Sequence, residues 1–265
     1  MKILTSNLKA LIHQEVGEIW SDKTTRSILV LVPLVMALFL PSLFLVLLLN
    51  VPVGQMNGVS QMLKLLPAQA AWMNRRQGMF YLVTNLICPM LFLMIPLMSS
   101  SISAAYGFAG EKKNGTMETL LLSPLGPRKI FQAKAFGCVV LSAVSTAVSF
   151  ILFSIVTSVG DAMLSMPFYF NWGWLVLLFL FSPGITLFGI VFIALISVKS
   201  KNYTESVQIS GYLVLPIVLL FLGQFTGLFR VGTALLLWIS LMLLAADFLL
   251  WFLASGLVSS EKLLR

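Results

Sequence analysis

Histidine, cysteine and charged residues are scarce in this sequence, and their scarcity excludes several classes of site. His13 is the single histidine, which excludes a site built from two or more histidines. The two cysteines, Cys88 and Cys138, lie in or beside apolar runs, which favours buried small side chains over a disulfide or a metal site. Charged residues make up 10% of the chain, against about 25% in a soluble domain. The sequence therefore predicts an integral membrane protein.

The sequence also lacks the glycine-rich loop that binds nucleotide phosphates. The most similar stretch of sequence runs from Gly110 to Thr116, and it lacks the Gly-Lys-Ser/Thr ending that such a loop requires. The sequence has no paired carboxylates and no histidine base that would indicate a catalytic centre. We therefore expect a non-catalytic chain that binds no cofactor or metal and does not hydrolyse ATP. Energy for active transport would have to come from a partner protein or an ion gradient.

Long apolar runs dominate what the sequence does contain. Hydrophobic residues make up 59% of the chain, and they form continuous runs without alternation, which predicts helices and not a barrel. The fold class expected is an all-α integral membrane protein of one transmembrane domain, 1–265. Its six predicted spans are 28–49, 80–105, 136–158, 172–198, 210–229 and 233–255. Prolines are expected to kink or interrupt these spans, and the fourth is expected to break near Pro183.

Residues 1–26 predict an amphipathic helix that lies in the membrane interface. Apolar residues recur at helical spacing from Leu4 to Trp20, and the spacing places charged residues such as Glu15 on other faces. Trp20 suits the depth of the lipid headgroups. His13 is interpreted as a residue of the polar face.

The distribution of basic residues predicts which side of the membrane the chain ends occupy. Thirteen of the 17 lysines and arginines fall in the two terminal tails and in the second and fourth loops between spans. The positive-inside rule therefore places both termini and the second loop in the cytoplasm. The net charge of +8 indicates contact with anionic lipid at the membrane surface and not nucleic-acid binding.

The longest charged interruption between two spans is the segment 106–134. It holds five of the 17 basic residues and two of the nine acidic ones. Its middle, 116–122, predicts a short amphipathic helix, because Met117, Leu120 and Leu121 fall on one face. An apolar face at the membrane edge needs a surface to pack on, which lipid headgroups or a partner protein could supply.

This segment carries a resemblance to a known family. Gly115 precedes the short helix and Ser123-Pro124 ends it. This part of the sequence resembles the cytoplasmic segment of ABC-2 type permeases, most closely the branch of the sodium-export and nitrous-oxide-locus permeases. The resemblance covers Gly110 to Pro124, together with Arg128-Lys129-Ile130 and Lys134. That pattern is a Glu-Lys-x-x-Gly-Thr-x-Glu run, then Leu-Leu-x-x-Pro, then a lysine at the start of the third span. All of these positions are met here.

The resemblance implies a type V exporter-like fold and a permease subunit in the cell membrane. Its implied partners are two copies of an ABC ATPase subunit, which holds ATP and Mg, and a second permease protomer as a homodimer or related heterodimer. The helix 116–122 would be the coupling helix that docks on the ATPase, and 1–26 would be a connecting helix. The implied docking residues are Glu111, Gly115, Thr116, Met117, Glu118, Leu120, Leu121 and Pro124.

Two polar features inside the predicted spans leave alternatives open. Asp247 lies near the middle of the sixth span, where a charge costs at least about 2.5 kcal/mol, so it is expected to face protein or water. It either contacts a proton, cation or substrate, or makes a structural hydrogen bond. Ser142, Ser145 and Ser149 share a face of the third span and indicate either close helix packing or a wall of a translocation path. The alternative functions are an ion-coupled carrier, or a lipid-acting membrane enzyme or assembly factor that uses Asp247.

Overall fold

Six helices in the described part of the chain are long and apolar enough to cross a membrane. The structure is a computed structural model that describes residues 2–50, 63, 66–67, 70, 72–110, 127–197, 203–225 and 232–257. No strand occurs in these ranges, so the predicted all-α class with six spans is confirmed. Spans 1 to 6 are Lys23–Asn50, Arg75–Gly110, Lys129–Met163, Trp172–Ser197, Glu205–Gln224 and Thr233–Phe252.

The N-terminal helix, Lys2–Ser21, is separated from span 1 by a capped break. Asp22 caps the helix that follows, since its carboxylate accepts a hydrogen bond from the backbone N–H of Thr25 at 2.8 Å. Thr25 is fully buried, which fixes the cap inside the protein. The cap therefore satisfies one of the backbone donors left at the start of the helix that forms span 1.

Three prolines widen the helices that contain them and do not break them. Three π-helical segments each end two residues before a proline, and the amide of the residue between donates to the carbonyl five residues earlier. Proline lacks an N–H and its ring clashes with the carbonyl four residues earlier, so a wider turn accommodates it. The predicted break near Pro183 is wrong for this reason, because span 4 continues through it. The segments are Leu34–Phe39 before Pro41, Val83–Ile87 before Pro89 and Leu177–Phe181 before Pro183.

Span 5 is the one described span that a proline does interrupt. Its two helices, Tyr203–Tyr212 and Leu215–Phe225, are joined by a turn at Leu213 and Val214. Both turn amides donate to carbonyls three residues earlier, at 3.2 Å. Pro216 follows as the second residue of the new helix, a position at which its missing N–H removes no intrahelical bond.

Spans 2 and 4 form the centre of the bundle. In each of them 61% of the most apolar window is buried, against 17–28% in the other four spans. The two helices approach closely at Gly189, where a Cβ atom would lie 2.7 Å from the hydroxyl oxygen of Ser100 and 2.8 Å from that of Ser101. Small residues thus allow the two central spans to pack backbone to backbone.

Gly160, near the end of span 3, is expected to tolerate no side chain. A Cβ atom there would lie 2.2 Å from Cζ of Phe80, which is itself buried. We expect Gly160→Ala to lower the free energy of unfolding by about 1–3 kcal/mol through overpacking, measured as a fall in melting temperature of the purified protein. Gly211→Ala is the matched control, because nothing lies within 4 Å of its added methyl group. Equal melting temperatures for the two variants would contradict the close approach.

Candidate functional site

A buried ion pair joins the N-terminal helix to the start of span 3. Lys134 Nζ lies 2.7 Å from Glu15 Oε1 and also donates a hydrogen bond to the carbonyl of Gly107 at 2.9 Å. The lysine and glutamate side chains are only 4% and 6% exposed. We call Glu15, Gly107 and Lys134 the junction. It connects three elements: the N-terminal helix, the end of span 2 and the start of span 3. The last two elements flank residues 111–126, the middle of the charged segment.

Small residues make room for the junction. A Cβ atom at Gly137 would lie 3.2 Å from Cβ of Glu15, and one at Gly107 would lie 3.8 Å from Glu15 Oε2. The helix that contains span 3 supplies the lysine because it begins early, at Pro127, and runs for 37 residues. That length is about 55 Å, well beyond a hydrocarbon core of about 30 Å. The first turns of this helix are therefore available to pack against the N-terminal helix.

The electrostatics make the junction act as one unit. Removing two charges from water costs several kcal/mol per ion, which only close pairing and additional hydrogen bonds offset. Here the ammonium group has both a carboxylate and a carbonyl as acceptors within 2.9 Å. Separating the N-terminal helix from spans 2 and 3 would break this ion pair and the hydrogen bond to Gly107, so the three elements are expected to move together.

The structure corrects the predicted environment of Glu15. The helical spacing assigns this residue to a polar face, and that prediction is wrong, since Glu15 is 4% exposed. The residue lies three positions after Ile12 and four before Ile19, so it belongs to the buried stripe. An acid within an apolar stripe was the available signal, and it indicates a buried cation as partner. Lys134 was known from the sequence only as part of the family pattern.

The predicted docking residues lie outside the described part of the chain. These eight residues fall between 111 and 126, and their role in binding an ATPase stays a prediction. The structure does describe both flanks of this segment, because span 2 ends at Gly110 and the next helix begins at Pro127. The residues concerned are Glu111, Gly115, Thr116, Met117, Glu118, Leu120, Leu121 and Pro124.

The predicted serine face of span 3 lies against spans 2 and 4. Ser142 donates to a carbonyl oxygen of span 2 at 3.0 Å, and its Oγ lies 3.2 Å from Oγ1 of Thr186 in span 4. Ser145 accepts a hydrogen bond from Ser99 at 3.1 Å, and Ser149 is fully buried and bonds within its own helix. These hydroxyls therefore make contacts between and within helices. Their part in a translocation path stays a prediction.

Asp247 is buried on the face of span 6 that packs against span 4. It is 3% exposed, and neither carboxylate oxygen has a hydrogen-bond partner among the described residues. Leu243 and Leu244 lie one helical turn before Asp247. Their side chains come within 3.2 and 3.5 Å, respectively, of where a Cβ atom would lie at Gly184 in span 4. An unpartnered polar group in this position costs stability, so the fold alone gives no reason for an aspartate here.

We expect Asp247→Leu to raise the melting temperature of the purified protein. Leucine has the branched shape of aspartate, and it removes an unpartnered buried group worth about 1–3 kcal/mol. Asp161→Leu is the matched control, because Asp161 is equally buried but accepts a hydrogen bond from the backbone N–H of Tyr169 at 2.8 Å. That variant is expected to melt earlier than the wild type. A similar loss of stability in both variants would show that Asp247 does have a polar partner.

The turn between spans 3 and 4 closes the end of the bundle opposite the junction. The hydroxyl oxygens of Tyr169 and Ser154 lie 2.6 Å apart, and the ring of Tyr169 packs edge-on against Phe153. Burial raises the pKa of the Tyr169 phenol above its ordinary value. Ser165 takes a left-handed conformation, with a φ of 52°, which completes the turn.

Comparison with known families identifies most of the chain. Residues 55–243 match the family described as ABC-2 family transporter protein. The match contains spans 2 to 5, the charged segment and the first turns of span 6. No curated protein matches the chain. The family resemblance of the charged segment is thereby confirmed, and with it a membrane-embedded permease component of an ABC transporter. The chain belongs to the ABC-2 family of transporter proteins.

Proposed function

We propose that the chain is the transmembrane subunit of an ABC-2 type exporter. It would move a substrate out of the cytoplasm with energy from ATP that a separate ATPase subunit hydrolyses. The family match supports the permease role. The observation that carries the coupling role is the junction, in which a buried lysine bonds to the N-terminal helix and to the end of span 2.

The junction lies where an ATPase movement would enter the membrane. Gly107 is four residues before the segment 111–126, and Lys134 is eight residues after it. A rigid-body shift of a docked coupling helix would therefore pull on spans 2 and 3 together. Because the ion pair ties both spans to the N-terminal helix, the three elements would tilt as one body, which suits an exporter that opens one side and closes the other.

The remaining parts of the proposal follow the basic-residue count and the family resemblance. Both termini lie in the cytoplasm, and the N-terminal helix lies on the inner membrane surface with Trp20 facing lipid, consistent with its 47% exposure. Two copies of the permease, or one copy and a related chain, bind two ATPase subunits. ATP and Mg are held by the ATPase, and this chain is the non-catalytic partner.

Co-purification with a candidate ABC ATPase subunit tests the proposal. We expect a tagged permease to retain the ATPase in detergent at a one-to-one ratio, and ATP hydrolysis by the complex in lipid nanodiscs to exceed that of the free ATPase. Replacing the phosphate-loop lysine of the ATPase is the control, because it should abolish hydrolysis and leave association intact. Failure of the ATPase to associate, with hydrolysis unaffected by the permease, would overturn the proposal.

An ion-coupled carrier is the second candidate, and the unpartnered Asp247 is the observation that favours it. Such a carrier would move protons or sodium without an ATPase, and Asp247→Asn would abolish that movement. Vesicles that contain the permease alone, loaded with a pH-sensitive dye and given a sodium or proton gradient, separate the two functions. The exporter proposal expects the same flux from wild-type, Asp247→Asn and empty vesicles.

A further inference from the structure

An apolar groove of about 210 Å³ lies between the end of the N-terminal helix, the first part of span 1 and span 3. The described residues that line it are aliphatic, with the exceptions of Trp20, Pro33 and Ser145. Along span 3 the groove extends from Leu141 to Leu152, which is about 16 Å of helix. A hydrocarbon core is about 30 Å thick, so the groove has the length of one leaflet.

The N-terminal helix places one end of this groove at the membrane surface. The helix packs against span 3 at Gly137, one turn before Leu141, where a Cβ atom would lie 3.2 Å from Cβ of Glu15. Trp20, near the end of the helix, lines the groove and is 47% exposed. Tryptophan favours the boundary between headgroups and hydrocarbon. The groove therefore begins at headgroup depth and continues into the apolar core.

Two basic residues stand at the surface end of the groove. Lys23 and Arg26 lie in the first turn of the helix that begins span 1, and both are exposed. Arg26 precedes the lining residues Leu29 and Val30 by three and four positions, and Lys23 precedes Val30 by seven. Residues at these spacings share one face of a helix, so both basic residues lie on the face that forms the groove.

The neighbouring acid does not cancel this positive charge. The carboxylate of Asp22 accepts a hydrogen bond from the backbone N–H of Thr25 at 2.8 Å, which assigns it to the helix cap. Together with Lys23 and Arg26 it still leaves one net positive charge. Long basic side chains extend readily to headgroup depth, where each one attracts anionic lipid.

The shape of the groove favours a lipid chain over a second copy of this protein. Helices associate closely in a membrane through small residues, whereas the described wall consists mostly of large aliphatic side chains. Its volume is also below the range of most small-molecule sites, which suits one flexible chain. We propose that the groove binds one acyl chain of an anionic phospholipid whose phosphate contacts Lys23 and Arg26.

Two lipids that differ in headgroup alone test this site. The full-length protein is placed in nanodiscs of equal parts dioleoylphosphatidylglycerol and dioleoylphosphatidylcholine, and native mass spectrometry counts the lipids that each protomer retains. We expect one retained phosphatidylglycerol per protomer. Each basic residue near the headgroups contributes a factor of about five, so the preference over phosphatidylcholine should be about 25-fold.

Charge variants test the headgroup contact. Lys23→Gln with Arg26→Gln should abolish the 25-fold preference for phosphatidylglycerol. Arg75→Gln with Lys129→Gln is the matched control, because it removes the same two charges from exposed positions of spans 2 and 3, and it should keep the preference. The proposal is wrong if the wild type retains both lipids equally, or if the Lys23 and Arg26 variant retains them as its control does.

A variant that fills the groove tests the chain contact. Val148→Trp should reduce retention of both lipids at least about tenfold, because Val148 lines the groove. Val159→Trp is the control, since Val159 lies three turns further along the same face of span 3 and is equally exposed, at 50% against 49%. Unchanged retention in folded Val148→Trp would overturn the proposal.

The remaining outcomes are also decisive. Melting temperatures in the same nanodiscs establish folding, and if Val148→Trp does not fold, the charge variants at exposed positions decide alone. A wild-type dimer that Val148→Trp dissociates without a change in lipid retention would make the groove an interface between copies and refute the lipid site. The measurement needs neither ATPase nor transport, so its failure would leave the exporter proposal intact.

Discussion

Replacing Lys134 with methionine is expected to lower the free energy of unfolding by about 3–5 kcal/mol, because the buried Glu15 carboxylate loses the positive charge that balances it. Glu15→Leu should be similarly costly, since it leaves an ammonium group buried instead. Both side chains are less than a tenth exposed, so water cannot take the place of the missing partner. The melting temperature of the purified protein measures both effects.

Two matched substitutions show whether the loss comes from burial. Glu18→Leu and Lys129→Met make the same changes at exposed positions of the same two helices, where the effect should stay within about 0.5 kcal/mol. The double variant Glu15→Leu with Lys134→Met removes both charges and should recover most of the stability. Recovery should be incomplete, because the carbonyl of Gly107 still loses its donor. Additive losses in the double variant would mean that the two residues do not act as a pair.

The double variant also separates stability from coupling. A junction that only holds the fold together would leave ATP hydrolysis and transport in their normal ratio once stability is restored. If the junction transmits movement, apolar packing in its place should leave a folded complex that hydrolyses ATP with less transport per ATP. This ratio is independent of how much protein folds, so it tests the coupling role directly.

The spans were predictable from the sequence because a bilayer imposes a simple requirement. Five of the six predicted runs have no charged residue, and the run 233–255 has only Asp247, which is what a helix in hydrocarbon needs. The local effect of proline was harder to predict. The sequence shows that Pro183 removes a hydrogen bond, but whether the helix breaks or widens depends on neighbouring helices that hold it in place.

The junction could not be predicted, because its partners are 119 positions apart in the sequence. Helical periodicity gives the face that a residue occupies, and it does not give the element that covers this face. The sequence therefore indicated a surface acid at Glu15 and the start of a span at Lys134.

The charged segment shows the opposite balance between sequence and structure. Its pattern identified the family before the fold was known, and the family match over residues 55–243 confirms that identification. The structure contributes its surroundings, a junction that ties both of its flanks to the N-terminal helix. In the proposed exporter, docking and coupling are therefore expected to be separable properties of neighbouring residues, which substitutions can disrupt one at a time.

Replacing Leu120 and Leu121 together with glutamate is expected to abolish ATPase binding. In our proposal both side chains sit in an apolar groove of the ATPase, where each unpaired carboxylate would cost several kcal/mol. Since every 1.4 kcal/mol changes affinity tenfold, binding should weaken by at least about 100-fold. Co-purification of the ATPase with the tagged permease measures the loss.

The control adds the same two charges to the opposite face of the short helix, as Thr119→Glu with Leu122→Glu, and should keep the ATPase bound. The melting temperature should not change in either variant, because the substituted residues lie outside the spans. That result would contrast with Lys134→Met, which is expected to lose stability first. If Leu120→Glu with Leu121→Glu retained the ATPase as well as its control does, the short helix would not be the docking element, and the junction would need another route to the ATPase.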